Sequence, residues 1–163
     1  MVDSARSDEA PFLADCWRAM LDELKMAPGG YQPNWRERLA RFFADGIARG
    51  QQAWFVVRNG EGTPVATAGV FIAETSMIQV DRIATIGGVY VSPAHRRKGL
   101  ARRLTEAAIA WAREHGCTLV RLSASEPAET LYRSLGFTRG RELVLRLDSD
   151  LAQGSDRVAE RGE

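Results

Sequence analysis

The sequence predicts an α/β protein with a mixed central sheet, and three observations carry that expectation. Short runs rich in β-branched and aromatic residues alternate with longer stretches whose apolar residues recur at helical spacing. A compact strand over about 85–92 runs at once into a helix with Leu100, Leu104, Ala107, Ala108 and Trp111 on one face. A second strand, 117–123, follows that helix directly, so a right-handed crossover makes the two strands parallel.

The elements follow in order. Residues 2–5 are a short, weak first strand, weakened by Asp3 and Ser4. Ser7 is a candidate N-cap, with Asp8, Glu9 and Pro11 in the first turn, and Leu13, Trp17, Met20, Leu21 and Leu24 form the core-facing stripe of the helix. Pro28-Gly29-Gly30 ends it. Asn34 is placed to cap a second helix carrying Trp35, Leu39, Phe42, Phe43 and Ile47, which stops at Gly50. Strands 53–58 and 64–73 flank a hairpin turn at Asn59-Gly60-Glu61-Gly62-Thr63, and Gly69 marks a bulge or a close approach. Residues 74–82 are an irregular insert. The helix after the central strand stops at Gly116. Glu126-Pro127 opens a short helix with Leu131, Tyr132 and Leu135, capped by Gly136, and 141–147 is a last edge strand. The domain therefore covers 1–147, and 148–163 is a loose polar tail.

Composition narrows the function classes. With 22 Lys and Arg against 21 Asp and Glu, the formal charge is +1, which gives no general attraction to nucleic acid or anionic membrane. Any anion site must be local. No secretory signal or membrane-length apolar run is visible, and Cys16 and Cys117 lack metal or redox spacing. A cytoplasmic protein without metal, with two cysteines packed as small hydrophobes, is the expectation.

The local anion site is the junction Arg96-Arg97-Lys98-Gly99. Three cations stand where a helix leaves its first N–H groups unpaired, and Gly99 lets a ligand approach the backbone. The same residues also fit an exposed turn with solvated charges. Neither the G-x-x-x-x-G-K-[ST] loop nor G-x-G-x-x-G is present.

Arg96-Arg97-Lys98-Gly99-Leu100-Ala101 resembles the acyl-CoA signature [QR]-x-x-G-x-[GA] of the GCN5-related N-acetyltransferases, and Leu131-Tyr132-Arg133-Ser134-Leu135-Gly136-Phe137 resembles their "LYxxLGF" segment. The resemblance implies a sheet splayed into a V between the central strand and the next, helices on both faces, and acetyl-CoA lying in the V. It implies cofactor contacts from Val89, Tyr90, Val91, Arg96, Arg97, Lys98, Gly99, Leu100, Ala101, Arg102, Ser125 and Tyr132. Ser125 stands where relatives often have Asn. It also implies that the Val89 N–H faces the thioester oxygen and that Tyr132 is the general acid. Without it, Val89 and Val91 fit an ordinary core strand.

The resemblance places the loop between the first two helices beside the acceptor, so Tyr31, Gln32 and Trp35 are candidate substrate contacts. Some relatives carry a Glu where this chain has Thr85. Glu74, Asp81 or an ordered water are the remaining candidates for a base. The expected activity is transfer of acetyl from acetyl-CoA to a primary amine on a small molecule, peptide or protein, by direct attack in a ternary complex, with a homodimer among the open assemblies. The rival is an acyl-CoA-binding regulatory module without turnover, favoured by Thr85 and opposed by Tyr132. A tRNA-directed acetyltransferase is a second rival, opposed by the balanced charge.

Overall fold

The computed structural model describes residues 1–73 and 82–140. Among the described residues, five strands lie in sequence order across one sheet: β1 (Val2–Ser4), β2 (Gln52–Arg58), β3 (Pro64–Ala73), β4 (Ile83–Val91) and β5 (Leu119–Arg121). The first four are antiparallel neighbours, and β4 with β5 is the parallel pair. The sheet is mixed, as the sequence predicts. The expected strand at 141–147, the tail and the insert at 74–81 lie outside the described residues.

Four helices among the described residues cover the two faces: α1 (Ala10–Glu23), α2 (Trp35–Ala48), α3 (Leu100–Glu114) and α4 (Glu126–Ser134). Alternation along β2 separates two cores. Trp54 and Val56 turn to Leu13 and Ala14 of α1 and Phe43 of α2, while Phe55 and Val57 share the other core with Leu104, Ala108 and Ala112 of α3. The spacing of those three α3 residues puts them on one face, so a single stripe seals the sheet.

All four helices end in a Schellman turn. At α2, α3 and α4 the left-handed residue is the expected glycine: Gly50, Gly116 and Gly136. Helix α1 departs from expectation. It stops at Glu23, five residues before Pro28, because Lys25 adopts φ 52° and the Met26 N–H closes onto Leu21 O at 3.0 Å. Leu24 therefore falls at the C-cap, 41% exposed, and is not a core residue. Phe42 is likewise outside the core at 58% exposed; neighbouring Phe43 takes the buried place.

Two expected caps are also replaced. Ser7–Glu9 forms a 3-10 turn closed by the Glu9 carboxylate, which accepts the Arg6 N–H at 2.8 Å, and α1 begins after it. Asn34 occupies the N-cap position of α2 at φ 57°, with no side-chain hydrogen bond to the first turn. The hairpin turn is as expected, with Asn59 Oδ1 accepting the N–H groups of Glu61 and Thr63. Cys16 is buried and Cys117 half-buried; burial pushes the Cys16 thiol up to about 12.

Candidate active site

The site grows from an irregularity in β4. Thr67 pairs with Tyr90 and Gly69 with Gly87, so Gly88 and Val89 together stand opposite Ala68. This is a β-bulge, and Gly88 makes it at φ 62°. The bulge reverses the strand's alternation. Ala84 and Ile86 face the α3 core, and beyond the bulge Val89 and Val91 pack on that same core. On the α1 side, Trp17 and Trp54 press against the glycine: a Cβ on Gly88 would meet both rings at 2.8 Å. Phe71 stands edge-on to both rings, with centroids at 6.1 and 5.6 Å.

Strand β5 stays with β4 for three pairs only, ending at Thr85 with Arg121. It is shorter than the predicted 117–123. From Ile86 onward β4 has no partner on that side among the described residues, and the bulge and Val89 lie in this open stretch. A parallel pair that separates beside a bulge leaves β4 backbone groups available to a ligand.

At the far end of β4, Ser92 N–H donates to Val65 O at 3.0 Å, and Pro93–His95 forms a 3-10 turn. Arg97 at φ 62° and Gly99 at φ 73° then turn the chain into α3. Gly99 is the N-cap and supplies no side chain, so the first-turn N–H groups of α3 point outward uncapped. No atom would meet a Cβ on Gly99 within 4 Å, so the backbone there is approachable. Successive backbone N–H groups in such a turn form a concave anion site.

The three cations divide. Arg97 and Lys98 are exposed; Lys98 Nζ makes one long contact to Ala94 O at 3.5 Å, and Arg97 has no acidic partner among the described residues. Arg96 is committed elsewhere: its Nε donates to Val91 O at 3.0 Å, its Nη2 to Glu23, and its guanidinium lies over Tyr90. Tyr90 is therefore on the α1 side, and burial is the main cause raising its phenol pKa. Leu100 and Ala101 open α3, and Arg102 reaches Glu106 at 3.5 Å and Ser134 Oγ at 2.5 Å.

That last bond ties α3 to α4, where Tyr132 is 8% exposed. Its ring meets Phe137 edge-on at 5.9 Å, and burial pushes its hydroxyl pKa up, so the phenol stays protonated at neutral pH. Ser125 is at the N-cap of α4, where its carbonyl accepts the Ala128 and Glu129 N–H groups and its hydroxyl makes no cap bond.

Of the residues expected beside the acceptor, Tyr31 and Trp35 form a clamp. Arg18 lies 4.9 Å from one ring centroid and 5.0 Å from the other, and the Tyr31 hydroxyl donates to Asp22. That bond to Asp22 raises the Tyr31 pKa. Gln32 offers its carbonyl to Trp35 N–H. Glu74 and Asp81 lie outside the described residues. Thr85 accepts a hydrogen bond from Arg121 Nε at 3.0 Å, an arrangement no reading of the single strands foresees. The bulge itself was legible as the shift of apolar positions from 84 and 86 to 89 and 91, across Gly87-Gly88.

Fold and site together set an uncapped, basic helix start beside an opened strand pair. The profile of the Acetyltransferase (GNAT) family matches residues 17–137, and this chain belongs to that family. A curated relative, the aminoglycoside N(6')-acetyltransferase type 1 of Acinetobacter haemolyticus, is 35% identical over 65 residues, covering 38% of this chain and 45% of the relative. The match thus spans less than half of that relative's length. Among solved structures, a predicted acetyltransferase of Clostridium acetobutylicum with acetyl-CoA superposes with a TM-score of 0.74 at 19% identity, over 90% of this chain and 94% of that one. Glucosamine-6-phosphate N-acetyltransferase of Arabidopsis thaliana gives a TM-score of 0.68 at 18% identity, over 90% and 96%. These two likenesses establish the shared fold.

Proposed function

We propose that this acetyltransferase moves the acetyl group of acetyl-CoA onto a primary amine by direct attack in a ternary complex. One observation carries the reading: β5 leaves β4 immediately before the Gly88–Val89 bulge, and the same strand then runs into an uncapped, left-handed, basic helix start. A long cofactor with a pyrophosphate at one end and a thioester at the other suits that arrangement. The donor found with the Clostridium protein, and the amine substrates in the names of the other two relatives, support it.

Arg97, Lys98 and the N–H groups from Gly99 to Arg102 would hold the pyrophosphate, while Arg96 positions the loop. The β4 backbone at Tyr90 and Val91, with Ser125, would hold the pantetheine arm. Bound acetyl-CoA supplies an acetyl thioester already activated toward amines. The Val89 N–H would stabilise charge on the carbonyl oxygen. Tyr132 would give its proton to the departing sulfur, which its raised pKa permits at neutral pH. A lysine-like amine is neutral in only about one molecule in a thousand at neutral pH, so a base or a water relay must deprotonate it. Glu74, Asp81 and water remain the candidates.

Among the described residues no helix is long and apolar enough to cross a membrane, and a cytoplasmic setting belongs to this reading. The second reading, an acyl-CoA-binding module without turnover, is favoured by Thr85, whose hydroxyl is held by Arg121 where a base would stand. Thiol release from acetyl-CoA against a panel of amines separates the two. Amine-dependent release supports transfer; tight acetyl-CoA binding with no release for any amine supports the module.

A further inference from the structure

We infer that the amine acceptor carries an anionic group, carboxylate or phosphate, several bonds from its amine, and that Arg121 is the residue that recognises it. The inference rests on the transfer reading above and adds the class of acceptor.

The argument begins with which face of β4 is open. Beyond the bulge the α3 face is closed by Val89 and Val91 against the α3 core. The α1 face carries Thr85, the glycine pair and the half-buried Trp17 and Phe71. An amine reaching Val89 must come from there. Arg121 is on that face. Its strand neighbour Val120 packs into the α3 core, so alternation turns Arg121 the other way, where its Nε meets Thr85 Oγ1 at 3.0 Å. The guanidinium thus stands at the point where β5 leaves β4.

Charge is distributed unevenly around it. Every acid on the exposed side of α1 already serves an arginine: Asp15 holds Arg36, Asp22 holds Arg18, and Glu23 holds Arg96. Arg82, two residues from Ala84, points to the α3 side and donates to His115 O at 2.8 Å. Arg121 is exposed, and among the described residues only a hydroxyl meets it. A guanidinium held by one neutral acceptor keeps donors for a planar anion, and such charge-assisted bonds are the strong ones. A polycation would meet the positive charge of Arg121 on its path, where the described acids of α1 are already paired.

Spacing sets the acceptor's shape. Thr85 and Val89 are four residues apart with a bulge between them, roughly 10–13 Å along the strand. After allowing for the thioester and for hydrogen-bond distances at both ends, the amine and the anion stand roughly 5–8 Å apart. That fits an ω-amino acid or an amino-sugar phosphate, and excludes a simple α-amino acid.

The test uses three amines of equal length that differ only at the far end: 5-aminopentanoate, pentylamine and 1,5-diaminopentane. Each is titrated calorimetrically into the CoA-saturated protein, with glucosamine-6-phosphate against glucosamine as the phosphate arm. At least one anionic probe should bind about tenfold or more tighter than its neutral partner, and the diamine weakest. Which arm shows the larger ratio tells carboxylate from phosphate. Arg121→Ala, at an exposed position, should erase the difference, and Arg121→Glu should invert the order. Equal affinities, tightest binding by the diamine, no measurable binding by either anionic probe at millimolar concentration, or an order unchanged in Arg121→Ala would each overturn the inference. Thiol release with the same amines is read separately: binding in the expected order without release tells against transfer and leaves the acceptor assignment standing.

Discussion

Arg96 and Glu23 are separated by 73 positions in the chain and meet in a two-pronged ion pair, Arg96 Nη2 lying 2.6 and 2.9 Å from the two carboxylate oxygens. The same guanidinium donates to the carbonyl of Val91, the last residue of β4. The first helix is thereby fastened to the strand end from which the basic loop springs. Both side chains are more than 40% exposed, so the pair adds little to global stability, about 0–1 kcal/mol. Its consequence is local, in the direction that the Arg97–Gly99 backbone faces.

Glu23→Ala should therefore weaken acetyl-CoA binding by about three- to tenfold while moving the melting temperature by no more than about 3 °C. Calorimetry at low and high salt is the measurement. The wild type should lose part of its advantage over the variant as salt rises, because the pair is exposed to screening. An unchanged dissociation constant would make the pair a surface contact with no bearing on the loop.

Gly88→Ala tests the bulge. The added Cβ meets Trp17 and Trp54 at 2.8 Å, in a left-handed conformation that alanine adopts poorly. Strain and overpacking together should cost about 2–4 kcal/mol in urea unfolding, and acetyl transfer should fall with it. Gly99→Ala is the control, being left-handed too but with open space beside it, and it should cost about 1 kcal/mol. Equal losses in the two variants would mean that conformation alone matters, and that the aromatic pair does not enforce the bulge.

The parts of this structure legible in the sequence are those that local chemistry decides. Three helix ends were visible because Gly50, Gly116 and Gly136 supply the left-handed residue a Schellman turn needs. The end of α1 was not, because Lys25 does the same work against its propensity. The parallel strand pair and the basic helix start followed from periodicity and from the run at 96–99. What could not be seen is set by register between distant segments. Nothing in the pattern of 117–123 itself says that it will stay with β4 for three residues and then leave, a parting expected only through the family resemblance, and nothing in Thr85 says that Arg121 will lie opposite. Counting cations likewise could not show that Arg96 is spent on Glu23 while Arg97 remains exposed.

Acid stability should hinge on Glu9. Its side chain is 8% exposed and pairs with Arg58 Nη1 at 2.6 Å, and the Arg58 hydrogen bond is the main cause holding its carboxyl below the ordinary 4.5. Because the folded-state pKa is the lower one, this stabilisation is present in full above the ordinary carboxylate range. It drains away as pH falls through the folded value. Glu9→Gln should be less stable than the wild type by about 1–2 kcal/mol at pH 7, and the gap should close on acidification. Urea midpoints measured from neutral pH down through the carboxylate range give the answer; a gap constant with pH would assign the loss to packing.

Tyr132→Phe tests the acid. The substitution removes the hydroxyl and keeps the ring against Phe137, so the fold and the affinity for acetyl-CoA should change little. If the phenol protonates the departing sulfur, turnover should fall by about 10²–10⁴-fold, in kcat more than in KM, since the interaction develops in the transition state. Burial raises the phenol's pKa, so the wild-type donor should stay protonated well above neutrality, and the deficit of the variant should persist across the neutral and mildly alkaline range. Slow product release would hide the effect in steady state, so the measurement is a single turnover with enzyme in excess over acetyl-CoA. A variant with full single-turnover activity would leave Tyr132 as a packing residue of α4 and make water the proton donor. A variant that loses acetyl-CoA affinity in step with turnover would instead place the hydroxyl among the cofactor contacts, because the loss would then lie in binding and not in the proton step.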